Sequence, residues 1–219
     1  MPSKVNNILE LVGHTPLVRI NRMNPVDGVE LLVKLEAMNP GGSVKDRIAL
    51  RMIEEAEASG ALTPGKIVLE ASSGNTAIGL AMVCAVKGYR LLVTMSESAS
   101  EERRRILKAF GTEILLTPGH LSTDGAIEEA YRLAREEPDK YVLADQFNND
   151  ANWRAHYEGT GREIWEATDG RVPAERDRSP NAQRYRDAHS RNGKHRPLRT
   201  PAVDQRPHDH RRSSVDQTA

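Results

Sequence analysis

Apolar residues along this chain come in short runs, separated by stretches in which they recur every three or four positions. The runs are bounded by turn or breaker residues and predict strands over 16–20, 29–35, 66–71, 90–95, 112–117 and 140–145. The longer period predicts helices over 44–58, 76–87, 99–110, 123–136 and 151–167. In the first of these, Val44, Ile48, Met52 and Ala56 form an apolar stripe. Gly60, Gly88 and Gly111 follow three of the helices, where a left-handed residue ends a helix at least steric cost. From 66 to 145 strands and helices alternate. That order predicts an α/β fold with a parallel sheet and helices on its faces. Ligands of such sheets sit where strand leads into helix, at the carboxyl ends of the strands.

The pattern stops at Pro173. Residues 173–219 contain Leu198, Val203 and Val215 as their large aliphatics, with ten arginines, one lysine, five prolines and four histidines. Such a segment buries too little apolar surface to offset an ordering entropy of about 1–2 kcal/mol per residue. It is expected to be a disordered Arg/Pro/His-rich tail, with residues 1–172 forming the folded part. Charge divides the same way. The tail carries eleven basic and six acidic residues, net +5, and residues 1–172 carry twenty basic and twenty-five acidic, net −5. The formal net charge of zero argues against whole-chain binding to nucleic acid or an anionic membrane. The tail's mixed acids and single aromatic, Tyr185, argue against a nucleic-acid arm. No run of about 18 apolar residues and no secretory start occur, so a cytoplasmic chain is expected. A single cysteine, Cys84, excludes an intrachain disulfide and a cysteine-cluster metal site, and no metal is expected.

Three junctions carry candidate chemistry. In KLEAMNPGGSVKDRIAL, 34–50, Gly41 and Gly42 permit a tight turn, and Ser43 with Asp46 fits a capping pattern. This puts Lys45 in the first helical turn. The positive end of the helix dipole disfavours a cation there and favours free amine as a nucleophile toward a carbonyl. Asp46 and Arg47 read as a cap partner and a structural ion pair. In KIVLEASSGNTAIGL, 66–80, a buried strand runs into Ser72, Ser73, Gly74, Asn75 and Thr76 and then a helix. Helix-start N–H groups and small hydroxyls make a cradle suited to a carboxylate. Cys84, on that helix, reads as core. In YVLADQFNNDANWRAHYEGTG, 141–161, Gln146 closes a strand, the asparagines can cap the next helix, and His156 reads as a satisfied histidine.

Together N-x-G-G-S-V-K-D-R, S-S-G-N-T and Q-F-x-N-x-A-N, with G-H-T-P-L-V-R at 13–19, resemble cysteine synthase and the catalytic core of cystathionine β-synthase, in the fold type II pyridoxal-phosphate enzymes. The resemblance spans residues 5–172. It implies the parallel-sheet αβα sandwich of the tryptophan synthase β-like fold, with a small mobile domain at about 45–146 and the remainder a fragment of the large domain. It implies pyridoxal 5′-phosphate as cofactor, held as a Schiff base on Lys45, with Asn75 on the ring hydroxyl oxygen. Ser72, Ser73, Gly74, Asn75, Thr76 and Gln146 would bind the substrate carboxylate. Lys45, once displaced, would act as general base. The implied reaction is β-replacement on O-acetylserine or serine with sulfide, giving L-cysteine. The family also implies a homodimer and association with serine acetyltransferase.

The chain departs from the family at Ala71-Ser72, Ser96 and Asp150, where family members carry Pro-Thr, Pro and Pro. Nothing in 173–219 resembles the family's G-T-G-G-T phosphate cradle or its later partner for the pyridine nitrogen. The expectation is a C-terminally truncated chain whose lysine-poor tail has the composition of out-of-frame GC-rich coding, testable by seeking the second half in another reading frame. Two alternatives stand beside cysteine synthesis: a catalytically inactive remnant, and cystathionine β-synthase activity with homocysteine as acceptor. Donor choice among O-acetylserine, O-phosphoserine and serine stays open.

Overall fold

The computed structural model describes residues 4–22 and 28–172. The expected tail at 173–219 lies outside them. Among the described residues six strands occur, β1 (Leu17–Arg19), β2 (Leu32–Lys34), β3 (Ile67–Ala71), β4 (Arg90–Ser96), β5 (Glu113–Thr117) and β6 (Tyr141–Leu143). The helices are α1 (Lys45–Ala58), α2 (Asn75–Lys87), α3 (Glu101–Ala109), α4 (Ser122–Glu136), α5 (Asp150–Arg154) and α6 (Arg162–Ala167). β1 and β2 form an antiparallel pair, with Val18 opposite Val33. The other four form a parallel sheet in the order β5-β4-β3-β6. β3 is one of its two inner strands, buried at all its positions, which is why IVLEA reads as a continuous rather than an alternating run.

Strand alternation sorts the core into two faces. Val68 of β3 and Leu91, Val93 and Met95 of β4 join Ile48, Met52, Ala77, Leu80, Val83 and Cys84 of α1 and α2. Ile67, Leu69 and Ala71 of β3 point the other way, against Ala126 and Ala130 of α4. The sheet is therefore covered on both sides, as the alternating order requires. Each large aliphatic buried here is worth about 1.5–3 kcal/mol. Gly60, Gly88 and Gly111 all have left-handed backbones, and the Gly88 geometry ends α2. Cys84 is buried, and burial first, with the Glu57 charge second, pushes its thiol up to about 12, so it is core and not a nucleophile.

The elements fall where the pattern predicts them, with two differences of substance. β6 ends at Leu143, because Asp145 adopts a left-handed backbone, φ 50°, that turns the chain away from the sheet. The helix expected over 151–167 is interrupted. Ala155–Gly161 forms a wide π turn between α5 and α6, and it sets Gly159 against the Arg47 guanidinium. No helix among the described residues is long and apolar enough to cross a membrane. No group of three or more His, Cys, Asp or Glu side chains among them could hold a metal ion.

Candidate active site

The sheet order places the site. From β3 the chain steps through β4 to β5, then crosses back to β6 on the opposite side of β3. The order thus reverses between β3 and β6, and sheets of this kind form a ligand crevice beyond the carboxyl ends at such a reversal. The two segments leaving those ends are Ser72–Thr76 and Asp145–Asn149.

Those segments bond to each other. The Thr76 hydroxyl donates to Gln146 Oε1 at 2.6 Å. Gln146 Nε2 donates to Glu70 at 2.9 Å. Ser72 Oγ accepts from the Gly74 N–H at 3.2 Å, and the Ser72 N–H donates to the Thr94 carbonyl at 3.2 Å. A proline at 71 would leave that second bond intact, but Ser72 supplies the turn-closing hydroxyl. Arg103 of α3 donates to the Ser73 carbonyl at 2.7 Å and ties the turn from outside. On the β6 side, Asn149 is the N-cap of α5, accepting from the Ala151 N–H at 3.0 Å, and Asn152 donates to the Gln146 carbonyl at 2.7 Å. Asn148 instead bonds Tyr131 and Asp145. Asp150 accepts from the Trp153 indole at 3.1 Å, and its charge suits the first turn of α5.

Lys45 is the first residue of α1 and is half-buried. Ser43 Oγ accepts from the Lys45 N–H at 3.1 Å, but the Asp46 N–H that a capping box would engage bonds the Ser43 carbonyl at 3.3 Å, and the helix is capped at Val44. Asp46 is fully buried and takes the Gly41 N–H at 2.6 Å, closing the Gly-Gly turn onto the helix start. A side chain at Gly41 would overlap that carboxylate, since a Cβ there meets Asp46 Oδ1 at 2.5 Å. Burial first, and then the Glu36 charge, push the Asp46 acid upward. α1 reaches α2 through Gly79, where a Cβ would lie 3.1 Å from Ala49 Cβ and 3.2 Å from the Lys45 carbonyl oxygen. This close approach sets the start of α1 beside the first turns of α2. Among the described residues no hydrogen bond or ion pair engages the Lys45 ammonium. Its charge, with that of Arg47, acts on His156, whose pKa is lowered first by burial and then by those two cations. His156 Nδ1 bonds Thr160 Oγ1 at 3.1 Å.

Two residues beyond Lys45, Arg47 anchors the helix. Its guanidinium takes Glu36 at 2.7 and 2.8 Å and Glu163 of α6 at 2.6 and 2.8 Å. Lys34 adds a contact to Glu163 at 2.7 Å, and the His14 N–H one at 3.0 Å. Burial alone would raise the Glu163 pKa, but Arg47, Lys34 and His14 outweigh it and hold it down to about 2. A depressed carboxylate stabilises the fold fully above its ordinary range near 4.5, and that contribution is lost as pH falls toward 2. The shift corresponds to about 3 kcal/mol. Urea midpoints measured from pH 5 down to about pH 2 should therefore fall steeply, and less so in Glu163→Gln. An equal fall in both chains would contradict this role.

Of the residues singled out from the sequence, Ser72, Ser73, Gly74, Asn75, Thr76 and Gln146 meet at the β3–β6 crevice, with Asn75 exposed at the first position of α2. The backbone of Lys45 packs on α2 at Gly79, about one helical turn beyond Asn75. Two participants went unread, Glu70 and Arg103. Glu70 looks like a stray polar residue in a strand, and only the acid's position one residue before the Ala-Ser turn hints at its partner.

Residues 8–174 match the family described as pyridoxal-phosphate dependent enzyme. The chain is 51% identical to the cysteine synthase of Aquifex aeolicus, over 75% of this chain and 51% of that one. It is 48% identical to cysteine synthase B of Salmonella typhimurium, over 77% and 55%. The crystal structure of a cysteine synthase from Entamoeba histolytica superposes with a TM-score of 0.74 at 45% identity, covering 78% of this chain and 52% of that one. The chain spans about half the length of the curated relatives it matches. On the family match and this kinship, in sequence and in fold, the chain belongs to the pyridoxal-phosphate dependent enzyme family.

Proposed function

We propose that this chain carries the lysine and carboxylate-binding side of a β-replacement site of the cysteine synthase type, which joins O-acetylserine or serine with sulfide to form L-cysteine. The observation that carries the reading is the Thr76–Gln146 bond across the switch point of the sheet, on the helix α2 that packs against the start of α1, where no carboxylate among the described residues engages Lys45. The names of the relatives support the substrate class.

The residues fit the reactive end of the cofactor. Among the described residues nothing hydrogen-bonds the Lys45 amine, and Asn75 offers an exposed side-chain amide. When bound, pyridoxal phosphate supplies a carbonyl that condenses with amines and a ring that draws electrons from the substrate's α-carbon. Lys45 Nζ would hold that group covalently at rest. Once the substrate amine takes its place, Nζ would accept the α-proton as general base. Asn75 would donate to the ring hydroxyl oxygen. N–H groups at the start of α2, the hydroxyls of Ser72, Ser73 and Thr76, and the Gln146 amide would hold the substrate carboxylate, where the helix dipole favours an anion. That grip fixes the α-carbon against Lys45 while the β-substituent leaves and sulfide adds.

A second reading, a non-catalytic remnant, is favoured by one observation: no G-T-G-G-T turn occurs anywhere in the sequence to hold the phosphate. An assay of the purified full chain with pyridoxal phosphate, O-acetylserine and sulfide separates the two. The first reading predicts L-cysteine above the rate of the free cofactor. A rate equal to that of the free cofactor would establish the remnant.

A further inference from the structure

Glu70 is 2% exposed, on the β3 face that carries Val68, under the crevice. Its contacts with the crevice run through one residue. Oε1 accepts from Gln146 Nε2 at 2.9 Å and Oε2 from the Gln146 N–H at 3.4 Å. No ion pair to Glu70 occurs among the described residues. The groups that act on it are few. Asp145, next to Gln146, adds a like charge, and the Tyr131 phenol of α4 feels the Glu70 charge in turn. Across β4 its register partner is Val93, the Ala71 N–H also bonds it, and Thr76 of α2 connects to it through the Gln146 amide. A buried carboxylate without a cation is a poor place to add a second carboxylate.

The amide of Gln146 has two settings. In the observed one its NH₂ faces Glu70 and its carbonyl consumes the Thr76 hydroxyl proton. That setting suits an ionised Glu70, which only accepts. A neutral Glu70 can donate. The amide can then reverse, with its carbonyl toward the Glu70 O–H and its NH₂ toward the crevice, and the Thr76 hydroxyl is released as a further donor. We propose that Glu70 is a proton-coupled positioning residue for the substrate carboxylate, which takes up a proton from solvent as that carboxylate binds and so turns the Gln146 and Thr76 donors toward it. This rests on the carboxylate reading of the crevice given above. Burial, with Asp145 second to it in raising the acid, pushes Glu70 up to about 7, so the switch works near neutrality.

The sign follows from linkage. Uptake of one proton makes binding weaken as pH rises, by up to about tenfold per pH unit above the titration range. The test is calorimetric titration of the full chain, with pyridoxal phosphate present, by L-lactate, a carboxylate with the carbon frame of an amino acid but no amine to exchange protons at the cofactor. It is run at slightly alkaline pH in two buffers of different ionisation enthalpy, for the unaltered chain and for Glu70→Gln. The expected result is net proton uptake in the unaltered chain, none in Glu70→Gln, and an affinity in the variant that stays flat with pH. Glutamine keeps the size of the neutral acid and can donate as it does. Binding without uptake in the unaltered chain would overturn the proposal while leaving the carboxylate site standing, and this arm holds even if the variant fails to fold. Equal uptake in the two chains would assign the proton to another group and overturn it too. Absence of any L-lactate binding would overturn the carboxylate site and the proposal with it.

Discussion

Arg47→Ala should destabilise the fold by about 3–5 kcal/mol, the range for removing one partner of a buried charge cluster. The arginine is 5% exposed and is the centre of contacts drawn from four places in the chain. It holds both oxygens of Glu36 and both of Glu163, and it reaches Thr15 Oγ1 at 3.2 Å. Alanine would leave Glu36 without its cation and Glu163 with Lys34 alone. It would also open space beside Gly13, where a Cβ would already stand only 3.0 Å from Arg47 Nη1. Against a typical domain stability of about 5–15 kcal/mol the loss is a large share. Arg47→Lys should recover part of it, because an ammonium cannot serve two carboxylates in the forked manner of a guanidinium. Urea unfolding with an unchanged slope measures this. A loss below about 1 kcal/mol, the value of an exposed pair, would contradict the structural role.

The cluster also marks where sequence reading ran out. Asp46 and Arg47 read as a cap partner and a structural ion pair; Asp46 bonds the Gly41 N–H instead, and the ion pair stands. The partner at Glu163 lies 116 positions away, however, and periodicity carries no information about pairs at that separation. The same holds for Thr76 and Gln146, 70 positions apart, which only the crossing from β5 to β6 brings together. Local features were legible because local physics decides them. Gly60, Gly88 and Gly111 end helices since an L side chain resists the left-handed backbone, and the Val44–Ala56 stripe predicts the buried face of α1. The π turn at Ala155–Gly161 was not legible. It breaks a regular apolar period and leaves Gly159 against Arg47, a tertiary contact. Glu70 was missed for a related reason: in a strand buried on both faces, a carboxylate has meaning only through what it bonds. The roles of Lys45, Asn75 and the Ser72–Thr76 turn came from resemblance; the structure shows the turn bonded to Gln146 and the backbone at Lys45 packed on α2.

Lys45→Ala should abolish covalent attachment of pyridoxal phosphate altogether, the largest functional effect expected of any single change here. The chain has eight lysines, several of them in ion pairs with carboxylates, such as Lys87 with Glu57 and Lys140 with Glu137. Lys45 differs in being half-buried at a helix start, with its ammonium engaged by no partner among the described residues. Alanine is a good helix former and leaves the Ser43 bond to the backbone N–H in place, so α1 should persist. Loss of attachment in that variant would therefore report chemistry and not unfolding.

The central claim is that this chain holds its cofactor at one lysine. The most direct measurement is borohydride reduction of the full chain incubated with pyridoxal phosphate and desalted, followed by peptide mass analysis, with Lys45→Ala alongside. The account predicts a single reduced adduct on the peptide containing Lys45 and none in the variant. Label spread over several lysines, or label undiminished in Lys45→Ala, would contradict it.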